Sequence, residues 1–324
     1  MAKQAKFGGL DEKDRLILFE LDCNSRQSNS QIAKKMAMDK NVVNYRINRL
    51  LREEFIVSFY TVIDKPLLGF QGIGIYLRVR FDTVEEEKGF VEAITSSPFT
   101  WWVGSISGEF NFGFVSYMKN IYEFEQFWEK ITSKYKKFML KSVVCPYTKV
   151  HDCAAAFLVP EKILDRPVQV VGETFGSISI SDSEKKLLSA LSENARLPTV
   201  ELAKKTGISV SSIKLLMKNL KKNGIIKGFR ARLNLEKMGL AMYKINFQLN
   251  DLDKYAEMVS FALAEPSTIY IDKSISFADL EIEILAERPE EMERFVKKFS
   301  AKFPGKVKDY DYFLFHKVHK IKYF

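Results

Sequence analysis

Residues 199–222 read TVELAKKTGISVSSIKLLMKNLKK, and this stretch decides the fold. Thr199 can cap a helix carrying Leu202 and Ala203, and Gly207 ends it. Ser209 can cap a second helix, in which Ile213, Leu216, Met217 and Leu220 recur at helical spacing. The connection Gly207-Ile208-Ser209 is short enough for the tight turn of a helix-turn-helix. Upstream, Ser181-Asp182-Ser183-Glu184 is a capping box. Its hydroxyl and carboxylate satisfy backbone donors at the start of an earlier helix, whose apolar stripe is Leu187, Leu188 and Leu191.

The same pattern occurs twice. Leu10 to Phe70 aligns with Ile180 to Leu240 at a constant offset of 170 without a gap. The identical pairs include Leu18/Leu188, Leu21/Leu191, Asn24/Asn194, Arg26/Arg196, Leu50/Leu220, Ile56/Ile226, Phe59/Phe229 and Gly69/Gly239, together with the run Ala33-Lys34-Lys35 against Ala203-Lys204-Lys205. In the first copy Asp11 caps the first helix and Ile32, Ala33 and Met36 bury the second. Asp39 caps a third, which is buried through Val43, Ile47 and Leu50. The period is too long for a solenoid, so a multi-element unit has been duplicated.

After each three-helix unit the periodicity changes to two. Ile73, Ile75, Leu77, Val79 and Phe81 alternate in the first copy, as do Tyr243, Ile245, Phe247 and Leu249 in the second. The first copy continues with a helix, strands over 99–107 and 110–117, a helix over 121–138 and a strand over 141–150. The second has the counterparts 268–277, 280–286, 289–303 and 306–317. A β-α-β-β-α-β order is ferredoxin-like; its helices cover one sheet face and leave the other for a partner. The predicted fold is therefore α+β, two repeats of a helix-turn-helix domain followed by a ferredoxin-like domain. Trp101, Trp102, Phe110, Phe112 and Phe114 read as packing rather than as a base-stacking platform.

Composition narrows the function. No apolar run approaches the roughly 20 residues of a membrane span, and the N-terminus has no apolar signal core, so the expected location is the cytoplasm, with the nucleoid. Cys23, Cys145 and Cys153 form no C-x-x-C pair, which argues against a disulfide scaffold or a structural zinc site. No phosphate loop, nucleotide-binding glycine fingerprint, nucleophile elbow or metal motif is present, so neither a cofactor nor an enzyme is expected. The net charge of +9 is concentrated: residues 1–70 carry 12 basic and 9 acidic side chains, and residues 180–240 carry 13 and 5. Excess positive charge confined to two short segments suits double-stranded DNA, whose phosphates release counterions when neutralised.

With Val43, Ile47 and Leu50 facing inward, the opposite face of the first copy's third helix offers Lys40, Asn41, Asn44, Tyr45, Asn48 and Arg49, with Arg46 alongside. Amides and guanidinium groups can pair with base edges in the major groove, while Lys and Tyr suit phosphates. The second copy offers Ser211, Ser212, Lys214, Lys218, Lys221 and Lys222, but has Leu215 and Leu216 where the first has Tyr45 and Arg46. The first copy is expected to read bases and the second to hold the backbone.

At Gly224-Ile-Ile-Lys-Gly-Phe-Arg-Ala-Arg-Leu-Asn234, followed by Met238-Gly239, the chain resembles the leucine-responsive regulatory protein (Lrp) and AsnC family of transcription regulators. The helix order and the turn Ile106-Ser107-Gly108-Glu109-Phe110-Asn111 match as well, and the resemblance covers nearly the whole chain twice. It implies a winged helix-turn-helix at 1–66, an effector and assembly domain at 67–150, a linker at 151–179, a second winged unit at 180–238 and a second effector domain at 239–324. It also implies a small effector, such as an amino acid, near Gly108, Glu109 and Asn111, and pairing of the effector domains within the chain or as a homo-oligomer. Asn111 stands where the family usually has Asp, and the second copy places Phe277 at the glycine position. A linker of nearly 30 residues could reach roughly 90 Å, enough for one copy to fold back on the other.

Two alternatives remain: an architectural protein that coats DNA without sequence preference, and the siroheme decarboxylases, which share the Lrp-like layout. The latter place histidine near the middle strands of the effector domain. Residues 99–105 and 267–273 contain none, and the three histidines, His151, His316 and His319, lie late in their repeats.

Overall fold

The computed structural model describes residues 6–159 and 166–324; residues 1–5 of the first expected domain and 160–165 of the expected linker lie outside the described residues. In the first repeat, α1 (Glu12–Cys23), α2 (Asn29–Lys35), α3 (Lys40–Arg52) and β1 (Ile56–Ile63) come first. They are followed by β2 (Gln71–Val79), α4 (Val84–Thr95), β3 (Thr100–Ser107), β4 (Phe112–Met118), α5 (Ile121–Tyr135) and β5 (Met139–Cys153). A short strand β6 (Val168–Val171) precedes the second repeat, which opens with α6 (Asp182–Glu193), α7 (Thr199–Thr206), α8 (Val210–Lys222) and β7 (Ile226–Leu233). It closes with β8 (Ala241–Leu249), α9 (Tyr255–Ala264), β9 (Thr268–Ser274), β10 (Leu280–Ala286), α10 (Pro289–Lys302) and β11 (Val307–Ile321).

Local chemistry starts and stops the helices. Asp11, Ser28 and Ser181 form capping boxes with Asp14, Gln31 and Glu184, and Asp39 and Ser209 cap α3 and α8. Thr199 does not cap α7: Pro198 holds that position and Thr199 is already the first helical residue. Proline's fixed φ supplies the extended entry without a side-chain acceptor. Gly207 and Gly224 end their helices in the left-handed region, at φ +72° and +73°. The first repeat has Ala37 (φ 49°) and Glu54 (φ 56°) at the matching places, where a Cβ makes that conformation costly.

The two ferredoxin-like sheets, ordered β5-β2-β4-β3 and β11-β8-β10-β9, join at both edges. β3 pairs with β11 and β9 with β5, so eight antiparallel strands close on themselves and β6 lies outside β5. The long last strands make the junctions. β5 pairs with β2 from Met139 to Tyr147 and with β9 from Tyr147 to Asp152, while β11 passes from β8 to β3 at Leu314. Both faces of β2 are therefore buried: α4 and α5 cover one, and the other repeat's sheet covers the face that sequence reading leaves open.

The interior between the sheets is built from unlike halves. Tyr76, Phe110, Phe277 and Phe313 pack with ring centroids 5.0 to 6.4 Å apart. Beside them the buried Lys244 ammonium lies 2.6 Å from Asp272, 2.7 Å from Glu281 and 3.3 Å from Glu283. Burial, only partly offset by Lys244, pushes the Glu283 carboxyl up to about 8.

The helix-turn-helix units share one apolar core that includes Ile17, Leu21, Ile47 and Leu50 of the first repeat and Leu187, Leu191, Ile213 and Leu220 of the second. β1 and β7 form an antiparallel ribbon centred on Tyr60 opposite Arg230; α1 packs on β7 and α6 on β1. Arg230 is buried, with a bidentate pair to Asp22 at 2.9 and 2.6 Å, a close ion pair to Asp152 and a bond to the Cys153 carbonyl at 2.9 Å.

On either side of residues 160–165 the expected linker takes part in the fold. Residues 151–153 continue β5, β6 pairs with them, and Ala154, Ala155, Ala156 and Leu158 are buried. Arg166 fastens the segment to the second repeat by donating to the carbonyls of Ala154, Leu263, Glu265 and Thr268 at 2.7 to 3.0 Å. The apolar run Ala154-Ala155-Ala156-Phe157-Leu158 supplies the burial that holds it. Among the described residues no helix is long and apolar enough to cross a membrane, and no group of three or more His, Cys, Asp or Glu could hold a metal ion.

Candidate nucleic-acid interface

Each recognition helix is the third of its unit. In α3 the inward residues Val43, Ile47 and Leu50 are buried, which turns Lys40, Asn41, Asn44, Tyr45 and Asn48 to the exposed side. Tyr45 is 63% exposed, a large ring left outside the core on the face that would meet a groove. Lys40, Asn41 and Asn48 make no side-chain bond among the described residues, so their polar groups are available to a ligand.

Arg46 and Arg49 are placed otherwise. The Arg46 guanidinium lies 2.7 Å from both Asp11 and Asp14, and Arg49 makes a close ion pair with the same buried Asp14. Burial pushes the Asp11 carboxyl upward, but bonds from the Asp14 amide and Arg46 outweigh this and hold it below the ordinary range; bonding to Asp11 raises Arg46 in turn. These two arginines tie α3 to α1, their guanidinium groups engaged by the carboxylates of Asp11 and Asp14. Sequence reading placed them on the groove face because helical spacing records the position of Cα, whereas a long side chain can swing back to a carboxylate one helix away.

In α8, Ile213 and Leu220 are buried and Leu216 and Met217 half-buried, while Lys214, Lys218 and Lys222 are exposed with no ion pair among the described residues. Lys221 is directed elsewhere: its ammonium sits 4.7 Å from the centre of the Phe229 ring, where burial and then the charge of Arg26 lower its pKa. The hydroxyls of Ser211 and Ser212 are engaged with Ser209 at 3.0 and 2.8 Å. Leu215 is 58% exposed, so this face is lysine and apolar surface where α3 offers amides.

Reciprocal arginines lock the units together. Arg26 donates to the carbonyls of Ala195 and Leu197 at 2.6 and 2.9 Å, and Arg196 donates to those of Ser25 and Gln27, the latter at 2.8 Å. Each guanidinium also lies 5.6 Å from the centre of the other repeat's phenylalanine ring, Phe229 or Phe59. Their roles were missed in the sequence, although the signal was present: Asn24/Asn194, Arg26/Arg196 and Phe59/Phe229 are polar or large residues kept identical in both copies, and all three pairs gather at the junction.

The turn that the family resemblance assigns to an effector lines a cleft of about 240 Å³ together with Arg78, Arg80 and Leu140. Gly108, at φ +138°, is required there, because a Cβ would stand 2.5 Å from the Tyr312 carbonyl of the other repeat. Glu109 is paired with Lys141. The Asn111 amide holds β2, accepting from the Val79 amide at 2.8 Å and donating to its carbonyl at 2.7 Å. In the second repeat Asp279 takes the matching bond from Leu249. Ser276 rather than Phe277 takes the left-handed conformation, because the offset between repeats has fallen from 170 to 168.

A family model described as winged helix-turn-helix DNA-binding matches residues 10–57 and again 180–227. The chain is 39% identical over 66 residues to the transcriptional regulator LrpA of Pyrococcus horikoshii, which covers 20% of this chain and 47% of that protein. It is 30% identical over 104 residues, 32% of the chain and 69% of the relative, to an uncharacterized helix-turn-helix transcriptional regulator of Pyrococcus furiosus. The chain belongs to the Lrp/AsnC family of transcription regulators. It is a tandemly duplicated member, and DNA is its partner. Among solved structures, the siroheme decarboxylase NirDL matches 97% of this Lrp/AsnC regulator and 94% of its own chain, with a TM-score of 0.65 and 14% identity. At that identity the likeness is one of fold.

Proposed function

We propose that this regulator is an intrachain pseudo-dimer that sets α3 and α8 on one face of double-stranded DNA, α3 reading bases and α8 holding phosphates. The exposed amides of Asn41, Asn44 and Asn48 beside Tyr45 carry the reading, because amides match base-edge donor and acceptor patterns and phosphate contact alone does not call for them. Lys214, Lys218 and Lys222 supply the sequence-independent part. The shared apolar core and reciprocal arginines support rigid placement of the two helices, for which half-sites about 34 to 36 Å apart, or a multiple, are expected.

The cleft at Gly108 is the proposed effector site. Arg78 and Arg80 can receive a carboxylate and Glu109 an ammonium, the two charges of an amino acid. Because Gly108 touches the second repeat through Tyr312, a ligand there acts on the junction between the repeats.

Selection from a randomised DNA pool at two salt concentrations tests the reading. An enriched motif with bases concentrated in one half-site is the expected result. Tight, salt-sensitive binding without enrichment replaces it with an architectural role. No binding at either salt turns attention to tetrapyrrole binding, the chemistry of the protein whose fold this chain shares.

A further inference from the structure

The reciprocal arginines are matched except at one atom. Among the described residues the Arg26 guanidinium donates only to carbonyls of the second repeat, whereas Arg196 also donates through Nη2 to the side-chain oxygen of Asn29, 2.5 Å away. The Asn29 amide nitrogen in turn donates to Oδ1 of Asn44 at 2.9 Å, on the exposed face of α3. A hydrogen-bonded chain thus runs from a guanidinium of the second repeat, across the junction, to an amide on the first repeat's recognition helix. The other side has no counterpart: Thr199 and Lys214 occupy the places of Asn29 and Asn44, and neither makes a side-chain bond among the described residues.

An unsupported asparagine amide presents two faces, since a half-turn about its last side-chain bond exchanges the oxygen and the nitrogen and reverses the pattern offered to a base. Here the order is fixed from behind. Arg196 can only donate, so it selects the Asn29 oxygen; this turns the Asn29 amide group toward Asn44, where it selects the Asn44 oxygen. Asn44 is left with its two N–H donors and one oxygen lone pair in a defined orientation, the pairing that suits adenine N7 and N6.

Resting on the base-reading function proposed above, we infer that Arg196 and Asn29 are positioning residues that fix the amide of Asn44, so that the second repeat sets the base preference of the first. The interface that joins the two units then also determines what one of them reads, and the recognised site is asymmetric.

Asn29→Asp separates this from simple structural support. It keeps an acceptor for Arg196 and a residue suited to the first turn of α2, while removing the donor to Asn44. Randomised-pool selection is run on the full chain and on Asn44→Ala, Asn29→Asp and Asn29→Ala, with Arg26→Lys and Arg196→Lys compared as the matched clamp pair. Asn44→Ala identifies the base position concerned. The expected result is that both Asn29 variants and Arg196→Lys lower the preference at that position about tenfold while other positions keep their enrichment, and that Arg26→Lys leaves it unchanged. Retention of the preference in both Asn29 variants overturns the inference, as does equal loss at all positions. If the unaltered chain enriches no base, the reading function itself fails, a result distinct from either.

Discussion

The two recognition helices start from the same cap-and-stripe pattern and end with different surfaces. α3 turns Asn41, Asn44, Tyr45 and Asn48 outward and has its arginines tethered to Asp11 and Asp14; α8 presents Lys214, Lys218, Lys222 and Leu215. The ribbon repeats the contrast at its centre, where Tyr60 of one repeat faces Arg230 of the other. So does the interior between the sheets, where Gly74, crowded by Tyr147 and Cys145, matches the place of Lys244. In a homodimer each change appears on both sides of the axis, and a buried arginine would meet its own copy. Joining the copies in one chain removes that constraint, so a charge and its counter-ions can be divided between halves.

The largest effect is expected where this asymmetry is buried. Arg230→Met leaves Asp22 and Asp152 without their partner and should destabilise the protein by about 3–5 kcal/mol in denaturant unfolding, whereas Tyr60→Phe across the ribbon should cost much less. Equal losses would show that the two sides of the centre contribute alike. On DNA, Asn48→Ala should reduce base discrimination in one half-site by about 1–3 kcal/mol, while Lys218→Ala weakens binding to every sequence and lowers the salt slope by about one unit. Interchanged outcomes would reverse the division between α3 and α8.

Arg46→Ala is expected to act on the fold: thermal unfolding should show a loss of about 1–3 kcal/mol from its lost bonds to Asp11 and to the buried Asp14, which keeps only Arg49, with the preferred DNA sequence unchanged. A shifted preference would return Arg46 to the bases. The interior carboxylates give a pH test. Glu283 titrates at about 8 in the folded protein against an ordinary 4.5, so the folded chain keeps a proton that the unfolded chain releases, and stability falls as pH rises through that window. Glu283→Gln should flatten that fall in melting curves taken at pH 5 and pH 8; an undiminished slope would assign it to other groups. Smallest of all, Ala37→Gly should stabilise the first unit by about 1 kcal/mol by relieving its left-handed alanine, while the second unit already has Gly207 there.

Much of this was legible in the sequence because it is set by local chemistry. Capping residues, apolar stripes at 3.6 spacing and strands at a spacing of two fixed the element order, and the 170-residue offset exposed the duplication. The exposure of Asn41, Asn44, Tyr45 and Asn48 followed from the buried stripe of α3. Other features depended on groups brought together from distant positions. The tethering of Arg46 requires knowing where α1 crosses α3, and the offset of 168 in the later strands comes from a connection between β8 and β9 two residues shorter than that between β2 and β3.

By itself the sequence determined that this is a twice-repeated helix-turn-helix and ferredoxin-like chain with its positive charge gathered on the helical units, since each of those properties resides in residues a few positions apart. Only the tertiary structure decided that the repeats close on each other within the chain, that residues 151–153 and 168–171 pair in the sheet, and that Arg196 reaches Asn29 and through it Asn44. The physical reason is range: caps and periodicities are satisfied within a turn or a strand, whereas a buried guanidinium takes whatever carbonyls and carboxylates the closed fold places around it.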